Sequence, residues 1–149
     1  MEYAKDGGKE WRLKVDKELR RLGYRVYNPC SDEQSILEPF GIKTAQEFLA
    51  LKKDPATLAK FRRIMLAIAE YDLEQLNKSR AIIAYLDSTL SGGTAGEVTI
   101  QRFIRNKPVF AVIPPEEITK VSGWVLACVS HIFKDIDSML DYISKYGVV

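Results

Sequence analysis

An apolar segment that runs into a glycine-rich stretch constrains the fold of this chain most. Residues 81–86 (AIIAYL) precede Asp87, and the sequence Ser91-Gly92-Gly93-Thr94-Ala95-Gly96-Glu97 follows. Such an apolar run is typical of a strand buried on both faces of a parallel sheet, and glycine permits a tight turn after it. We therefore predict a buried strand, a turn, and a helix from Thr94 with Glu97 in its first turn. Backbone N–H groups at such a turn can hold an anion or a sugar oxygen.

Helix and strand signals alternate along the whole chain. The apolar residues Trp11, Val15, Leu19 and Leu22 are spaced as on one face of a helix, and Gly23 fits the position after its end. By the same criteria, further helices are predicted over 45–51, 56–71, 94–104 and 135–146, and strands over 24–27, 80–86 and 107–113, with 124–129 compatible with either. Asn28-Pro29 is interpreted as the turn that closes the first strand. The alternation predicts an α/β fold with a mainly parallel sheet, whose ligands bind at the carboxyl ends of the strands.

Composition excludes several classes of function. The 149 residues predict a single domain over 1–149. Basic and acidic residues, 22 and 20, are mixed along the chain, so the net charge of +2 gives no reason to expect a nucleic-acid polymer or a membrane surface as partner. No apolar run approaches the roughly 20 residues of a membrane span, and no signal peptide is visible. The two cysteines lack metal-site spacing, so we expect a reduced, cytoplasmic protein without a metal.

Several ordered motifs resemble the nucleoside 2-deoxyribosyltransferase-like family, which includes nucleoside 5′-monophosphate N-glycosidases. The resemblance covers most of the chain. The segments that carry it are, in order, Gly7-Gly8-Lys9-Glu10-Trp11-Arg12, Tyr27-Asn28-Pro29, Asp72-Leu73, Gly93-Thr94-Ala95-Gly96-Glu97 and Lys107-Pro108-Val109. Asn106 stands where the family usually has a glycine.

The resemblance implies double displacement at C1′ of a nucleoside sugar, without cofactor or metal. Glu97 would attack the anomeric carbon as the base leaves, and water or a second base would then resolve the glycosyl-enzyme. Asp72 matches the aspartate that orients the nucleophile and the ligand, and it can also serve in proton transfer. The substrate would be a small-molecule nucleoside or nucleotide.

Further ligand contacts are implied around both glycine-containing segments. They comprise Ser91, Gly92, Gly93, Thr94 and Asp87 near the predicted turn, and Tyr3, Asp6, Gly7 and Gly8 in the first loop. Many transferases of the family carry an aspartate six residues before the nucleophile, where this chain has Ser91. A neutral hydroxyl avoids repulsion of a phosphate, worth roughly 1 kcal/mol at 4 Å in water, so a 5′-monophosphate is the preferred substrate.

The family also implies an architecture and an assembly. We expect a Rossmann-like or flavodoxin-like three-layer fold, and a homodimer or higher homo-oligomer. Relatives usually place a strand and a glycine turn before a segment like residues 2–8, with which this chain begins. The expected sheet therefore lacks the family's usual first strand.

Alternative functions stay open at this point. One is a nucleoside 2-deoxyribosyltransferase proper, and another is a phosphoribohydrolase that frees cytokinin-type bases, although that family's fuller glycine pattern is missing here. A catalytically silent nucleotide-binding module is a third, and a structural partner protein with a vestigial pocket is a fourth.

Overall fold

The computed structural model describes residues 8–149. Its α-helices are α1 Lys9–Arg21, α2 Pro29–Leu37, α3 Ala45–Ala50, α4 Leu58–Lys78, α5 Gly92–Thr99, α6 Gly123–Cys128 and α7 Ile136–Tyr146. The strands are β1 Ile82–Tyr85, β2 Val109–Val112 and β3 His131–Phe133. Short 3-10 helices cover Glu38–Phe40 and Pro115–Lys120, and a π-helical turn at Ile100–Ile104 extends α5.

The described chain forms two compact units. Residues 8–26 and 76–149 make up the first, here called the sheet unit, and Tyr27–Gln75 the second, the helical unit. The expectation of one domain over residues 1–149 stays a prediction.

Within the sheet unit, three parallel strands form a sheet in the order β1-β2-β3. Ile82 of β1 is aligned with Val109 of β2, and Phe110 of β2 with His131 of β3. Every residue of β2 is buried, as expected for the central strand. The predicted parallel sheet of an α/β fold is thereby confirmed.

The two faces of β2 are covered by different helices. Val109 and Ala111 pack with apolar residues of α5 and α6, whereas Phe110 and Val112 pack with residues of α1 and α7. Successive side chains of a strand point to opposite faces, so the sheet unit has three layers, with the sheet between two pairs of helices. Phe110 is fully buried, and its ring lies 4.8 Å from that of His131.

The helical unit has a core of its own. Leu37, Ile42, Phe48 and Ile64 are buried together, and the rings of Phe48 and Phe61 stack with centroids 4.8 Å apart. The helix predicted over 45–51 is confirmed as α3 and that over 56–71 as α4, which continues to Lys78.

The predicted strand over 24–27 is wrong. Gly23 adopts φ 90° and ends α1 with two backbone hydrogen bonds, from Gly23 N to Arg20 O and from Tyr24 N to Leu19 O. Tyr24 and Val26 do pack against the core. The Val26 carbonyl, however, accepts a hydrogen bond from the Arg20 guanidinium (2.9 Å) and lies outside the sheet.

Asn28-Pro29 begins a helix instead of forming only a turn. The Asn28 side chain accepts a hydrogen bond from Cys30 N (3.1 Å), and Pro29 occupies the first helical position of α2. The segment 124–129, which the sequence left undecided, is largely the helix α6, while the short strand β3 was not predicted.

Candidate functional site

The carboxyl end of β1 is shaped by Asp87. Its Oδ1 atom accepts hydrogen bonds from Thr89 N (2.8 Å) and from Thr89 Oγ1 (2.5 Å). This arrangement is an Asx turn, which redirects the chain from the strand toward α5. The carboxylate therefore stabilises the turn, and its predicted ligand contact stays a prediction.

Ser91 is the N-cap of α5. Its Oγ atom accepts a hydrogen bond from Thr94 N (3.2 Å) and lies 3.2 Å from the Thr94 hydroxyl. The helix begins at Gly92, so the expected start at Thr94 is two residues too late. Because the Ser91 hydroxyl already accepts this capping hydrogen bond, its role as the N-cap is sufficient to explain a serine at this position.

Gly92 and Gly93 belong to the first turn of α5, and neither has a positive φ. The predicted tight turn at these glycines is therefore wrong, because the chain turns at Asp87 and Thr89 and is already helical at Gly92. A Cβ atom on Gly92 would meet nothing within 4 Å, and one on Gly93 would lie 3.7 Å from Ser91 Oγ. Within the described chain, neither backbone conformation nor packing demands glycine. Both glycines are exposed at the N-terminus of α5, where the first N–H groups of a helix have no partner within the helix.

Glu97 lies in the second turn of α5, as its sixth residue, and not in the first turn as expected. The earlier start of the helix is the reason. Favourable interaction with the helix dipole falls off beyond the first turn, so that interaction does not explain this carboxylate. The side chain is half-buried and has interaction partners.

Gln101, four residues after Glu97, is a residue that the sequence reasoning missed. It is completely buried in the π-helical turn, and both its Nε2 and Oε1 atoms lack a hydrogen-bond partner within residues 8–149. An unsatisfied buried amide costs about 1–3 kcal/mol, and π-helical turns are frequent at functional sites. The sequence feature that could have indicated Gln101 is a polar amide directly after Ile100 in the predicted helix 94–104.

Acidic groups gather at the ends of β1 and β2. The Ser88 N–H donates a hydrogen bond to Glu117 Oε2 (3.2 Å). Burial raises the pKa of the Tyr85 hydroxyl, and the carboxylates of Asp87, Glu116 and Glu117 raise it further. Carboxylate oxygens such as these accept hydrogen bonds from hydroxyl and N–H donors.

The N-terminus of α1 approaches the same end of β1. Gly8 is its N-cap with φ 76°, and a Cβ atom there would lie only 2.8 Å from Arg12 Nη1. The Trp11 and Tyr85 rings are 5.9 Å apart, and the buried Trp11 Nε1 has no hydrogen-bond partner among the residues that the structure describes. Gly8 is thus near β1 within the sheet unit. Tyr3, Asp6 and Gly7 lie outside the described residues.

Asp72 belongs to the helical unit, whereas Glu97 belongs to the sheet unit. The Tyr27 hydroxyl donates a hydrogen bond to Asp72 Oδ1 (2.5 Å). Burial and this hydrogen bond raise the pKa of Tyr27 far above its usual value. The Tyr71 hydroxyl donates likewise to Asp32 Oδ2 (2.9 Å), and the Tyr27 and Tyr71 rings meet edge to face at 5.8 Å. Asp72 therefore has a structural partner in its own unit, and its part in catalysis stays a prediction.

From Gly8 to Val149, no group of three or more His, Cys, Asp or Glu side chains could hold a metal ion. In the same residues no helix combines the length and hydropathy needed to cross a membrane.

Comparisons with protein-family models, with curated proteins and with solved structures found no match to this chain. The resemblance to the deoxyribosyltransferase-like family therefore stays a prediction that rests on the quoted motifs alone.

Proposed function

We propose that this protein cleaves the N-glycosidic bond of a nucleoside 5′-monophosphate or a (deoxy)nucleoside, with Glu97 as the nucleophile. The observation that carries the proposal is the position of α5. This helix follows the carboxyl end of the parallel strand β1, its first turn contains Gly92 and Gly93, and Glu97 lies one turn further on. Such helix N-termini bind oxyanions and sugar oxygens, and ligands of parallel sheets bind at this end.

The reaction has two displacement steps. A Glu97 carboxylate oxygen forms a bond to C1′ while the C1′–N bond breaks, and its electron pair leaves with the base, which takes up a proton. Water, or the nitrogen of a second base, then forms a bond to C1′ as the ester bond to Glu97 breaks. The attacking group loses a proton, and the carboxylate is restored.

Electrostatics near Tyr85 support sugar recognition more directly than phosphate recognition. The carboxylates of Asp87, Glu116 and Glu117 act on its hydroxyl, and sugar hydroxyls donate hydrogen bonds to such groups. A 5′-phosphate would instead use the N–H groups of α5 and the neutral Ser91. The preference for monophosphates thus rests on the N-terminal turn of this helix.

The proposal includes membership of the deoxyribosyltransferase-like family, a Rossmann-like fold, a cytoplasmic location and a homo-oligomeric state. The three-layer sheet unit supports the fold, and the motif order supports the family. In this proposal Asp72 orients the ligand or transfers a proton, and only the family resemblance supports that role.

A catalytically silent nucleotide-binding module is the second candidate. It is favoured by the intrachain hydrogen bonds of Ser91 and Asp87, because both side chains already have structural tasks. Such a module would bind nucleotides without releasing a base.

Base release measured by chromatography tests the proposal. The purified protein is incubated with a panel of nucleosides and their 5′-monophosphates, beside Glu97→Gln and the control Glu18→Gln, whose exposed ion pair with Arg21 contributes little. We expect Glu97→Gln to lower turnover at least about 1,000-fold, as for loss of other nucleophiles, while Glu18→Gln keeps it. Turnover by Glu97→Gln near the original rate rules out the nucleophile, and nucleotide binding without release selects the silent module.

A further inference from the structure

Two tyrosines of the helical unit donate hydrogen bonds to aspartates of the same unit. The Tyr27 hydroxyl donates to Asp72 Oδ1 (2.5 Å), and the Tyr71 hydroxyl donates to Asp32 Oδ2 (2.9 Å). Tyr27 lies directly before α2 and Asp72 lies in α4, so the first bond joins residues that are 45 positions apart in the chain. Of these four residues, only Asp72 was predicted to belong to the functional site. Tyr27 is therefore in direct contact with a candidate site residue, whereas Tyr71 makes the same kind of bond elsewhere.

The Tyr27 side chain is held in place by its surroundings. The next residue, Asn28, is buried and caps α2 by accepting a hydrogen bond from Cys30 N (3.1 Å), which fixes the backbone beside Tyr27. The Tyr71 ring meets the Tyr27 ring edge to face at 5.8 Å and restricts its movement. The Tyr27 hydroxyl therefore reaches Asp72 from a fixed position, and a fixed donor also orients the carboxylate that accepts from it.

The proton of this hydrogen bond stays on Tyr27. Burial, and then the hydrogen bond to Asp72, raise the pKa of the Tyr27 hydroxyl far above its usual value. Asp72, Tyr71 and Asp32 are the titratable groups that act on this hydroxyl. A protonated phenol that donates to a carboxylate stabilises the ionised form of that carboxylate. The contact thus favours an Asp72 that accepts hydrogen bonds over one that carries a proton.

We propose that Tyr27 is a positioning residue, which holds Asp72 as an ionised hydrogen-bond acceptor for the ligand. Resting on the proposed function, this assignment gives Asp72 one of its two possible roles: it orients the ligand and does not supply the proton that the leaving base takes up. The ligand group that meets Asp72 is then a hydrogen-bond donor, either a sugar hydroxyl or an N–H group of the base. A phosphate is excluded from this position, because its charge repels the carboxylate.

Carbon NMR of the carboxyl groups tests the positioning without substrate. Asp72→Asn identifies the Asp72 signal by its absence, and the titration of that signal is followed in the wild type, in Tyr27→Phe and in Tyr71→Phe. Tyr71→Phe is the matched control, because it removes the same kind of bond from Asp32 in the same unit and keeps the ring. The midpoint of the Asp72 titration should rise by about 1–2 pH units in Tyr27→Phe and by less than about 0.5 in Tyr71→Phe. Circular dichroism verifies that all variants are folded.

The pH dependence of base release tests the role of Asp72. The substrate is the nucleoside or 5′-monophosphate from which the wild type releases base fastest. If ionised Asp72 orients it, Tyr27→Phe should lower kcat/KM about tenfold or more at pH 7, and the acid limb of its pH profile should move to higher pH together with the Asp72 titration. Tyr71→Phe should stay within about threefold of the wild type. If Asp72 were the proton donor, the alkaline limb of the Tyr27→Phe profile would move to higher pH instead.

The outcomes separate this inference from the proposed function. An Asp72 titration that Tyr27→Phe leaves unchanged, equal effects of Tyr27→Phe and Tyr71→Phe on kcat/KM, or a moved alkaline limb would each overturn the role of Tyr27 while base release by the wild type continues. Absence of base release by the wild type from every substrate would refute the proposed function, and the ligand role of Asp72 with it.

Discussion

Replacing Ser91 separates its role as a helix cap from its predicted role as a phosphate ligand. In the structure its Oγ atom accepts a hydrogen bond from Thr94 N at 3.2 Å, at the long end of the normal range. Loss of an N-cap side chain costs about 0.5–2 kcal/mol, so we expect Ser91→Ala to lower the free energy of unfolding by about 1 kcal/mol. For a chain of this length, that corresponds to a decrease in Tm of about 3–4 °C.

Ser91→Asp distinguishes the two roles, because aspartate caps helices as well as serine does but adds a negative charge. Its stability should equal that of the wild type. If phosphate binds beside this side chain, repulsion of at least about 1 kcal/mol per pair of charges at 4 Å should weaken the binding of a 5′-monophosphate about tenfold or more. Binding of the unphosphorylated nucleoside should stay nearly unchanged.

The assays are urea unfolding for stability and calorimetric titration for the two ligands. Ser122 is the matched control, since it caps α6 in the same unit through a 3.3 Å hydrogen bond from Val125 N. Ser122→Ala should cost a similar free energy, and Ser122→Asp should leave both affinities unchanged. An unchanged stability of Ser91→Ala would refute the capping argument, and an unchanged monophosphate affinity of Ser91→Asp would refute phosphate binding at this side chain.

Three further predictions concern stability. Phe110→Ala should lower the free energy of unfolding in urea by about 3–5 kcal/mol, because the fully buried ring leaves a cavity in the central strand; a loss below about 1 kcal/mol would contradict this packing. Tyr27→Phe removes the hydrogen bond to Asp72 and should cost about 1–2 kcal/mol at pH 7. Since the folded-state pKa of Tyr27 is raised, its stabilisation is complete below about pH 10 and decreases as the pH rises further, so stability measured from pH 9 to 11 should fall less steeply in the variant. Hydrogen bonds from Ser138 lower the pKa of Asp135, so its stabilising effect is present above about pH 4 and is lost as the pH falls. Asp135→Asn should therefore make the decrease in Tm at acid pH less steep in thermal unfolding. The same decrease in Tm in the variant as in the wild type would exclude a contribution of Asp135 to acid stability.

Part of the candidate site could be predicted from local pattern. The structure contains both the strand predicted at 80–86 and the helix predicted at 94–104. A continuous apolar run followed by glycines is a local pattern that predicts a strand and then a helix. The sequence also indicated that Asp87 follows the end of a strand, but the expected burial on both faces is wrong, because β1 lies at the edge of the sheet and only its residue Ala84 is buried. It could not decide whether the Asp87 and Ser91 oxygens face a ligand or their own backbone, since both residue types serve either purpose.

The remaining corrections depended on tertiary contacts. Residues 24–27 have the alternation of a strand, but sheet pairing needs a neighbouring backbone, and the Val26 carbonyl is bonded by Arg20 instead. Asn28-Pro29 fits a turn and a helix start equally well by local rules. The sequence by itself determined which segments are apolar, and hence the strands β1 and β2 and the long helices. Only the tertiary structure decided which partner each polar atom has, because one side chain can bond a neighbouring backbone group, as those of Asp87 and Ser91 do, or a group distant in the chain, as that of Tyr27 does.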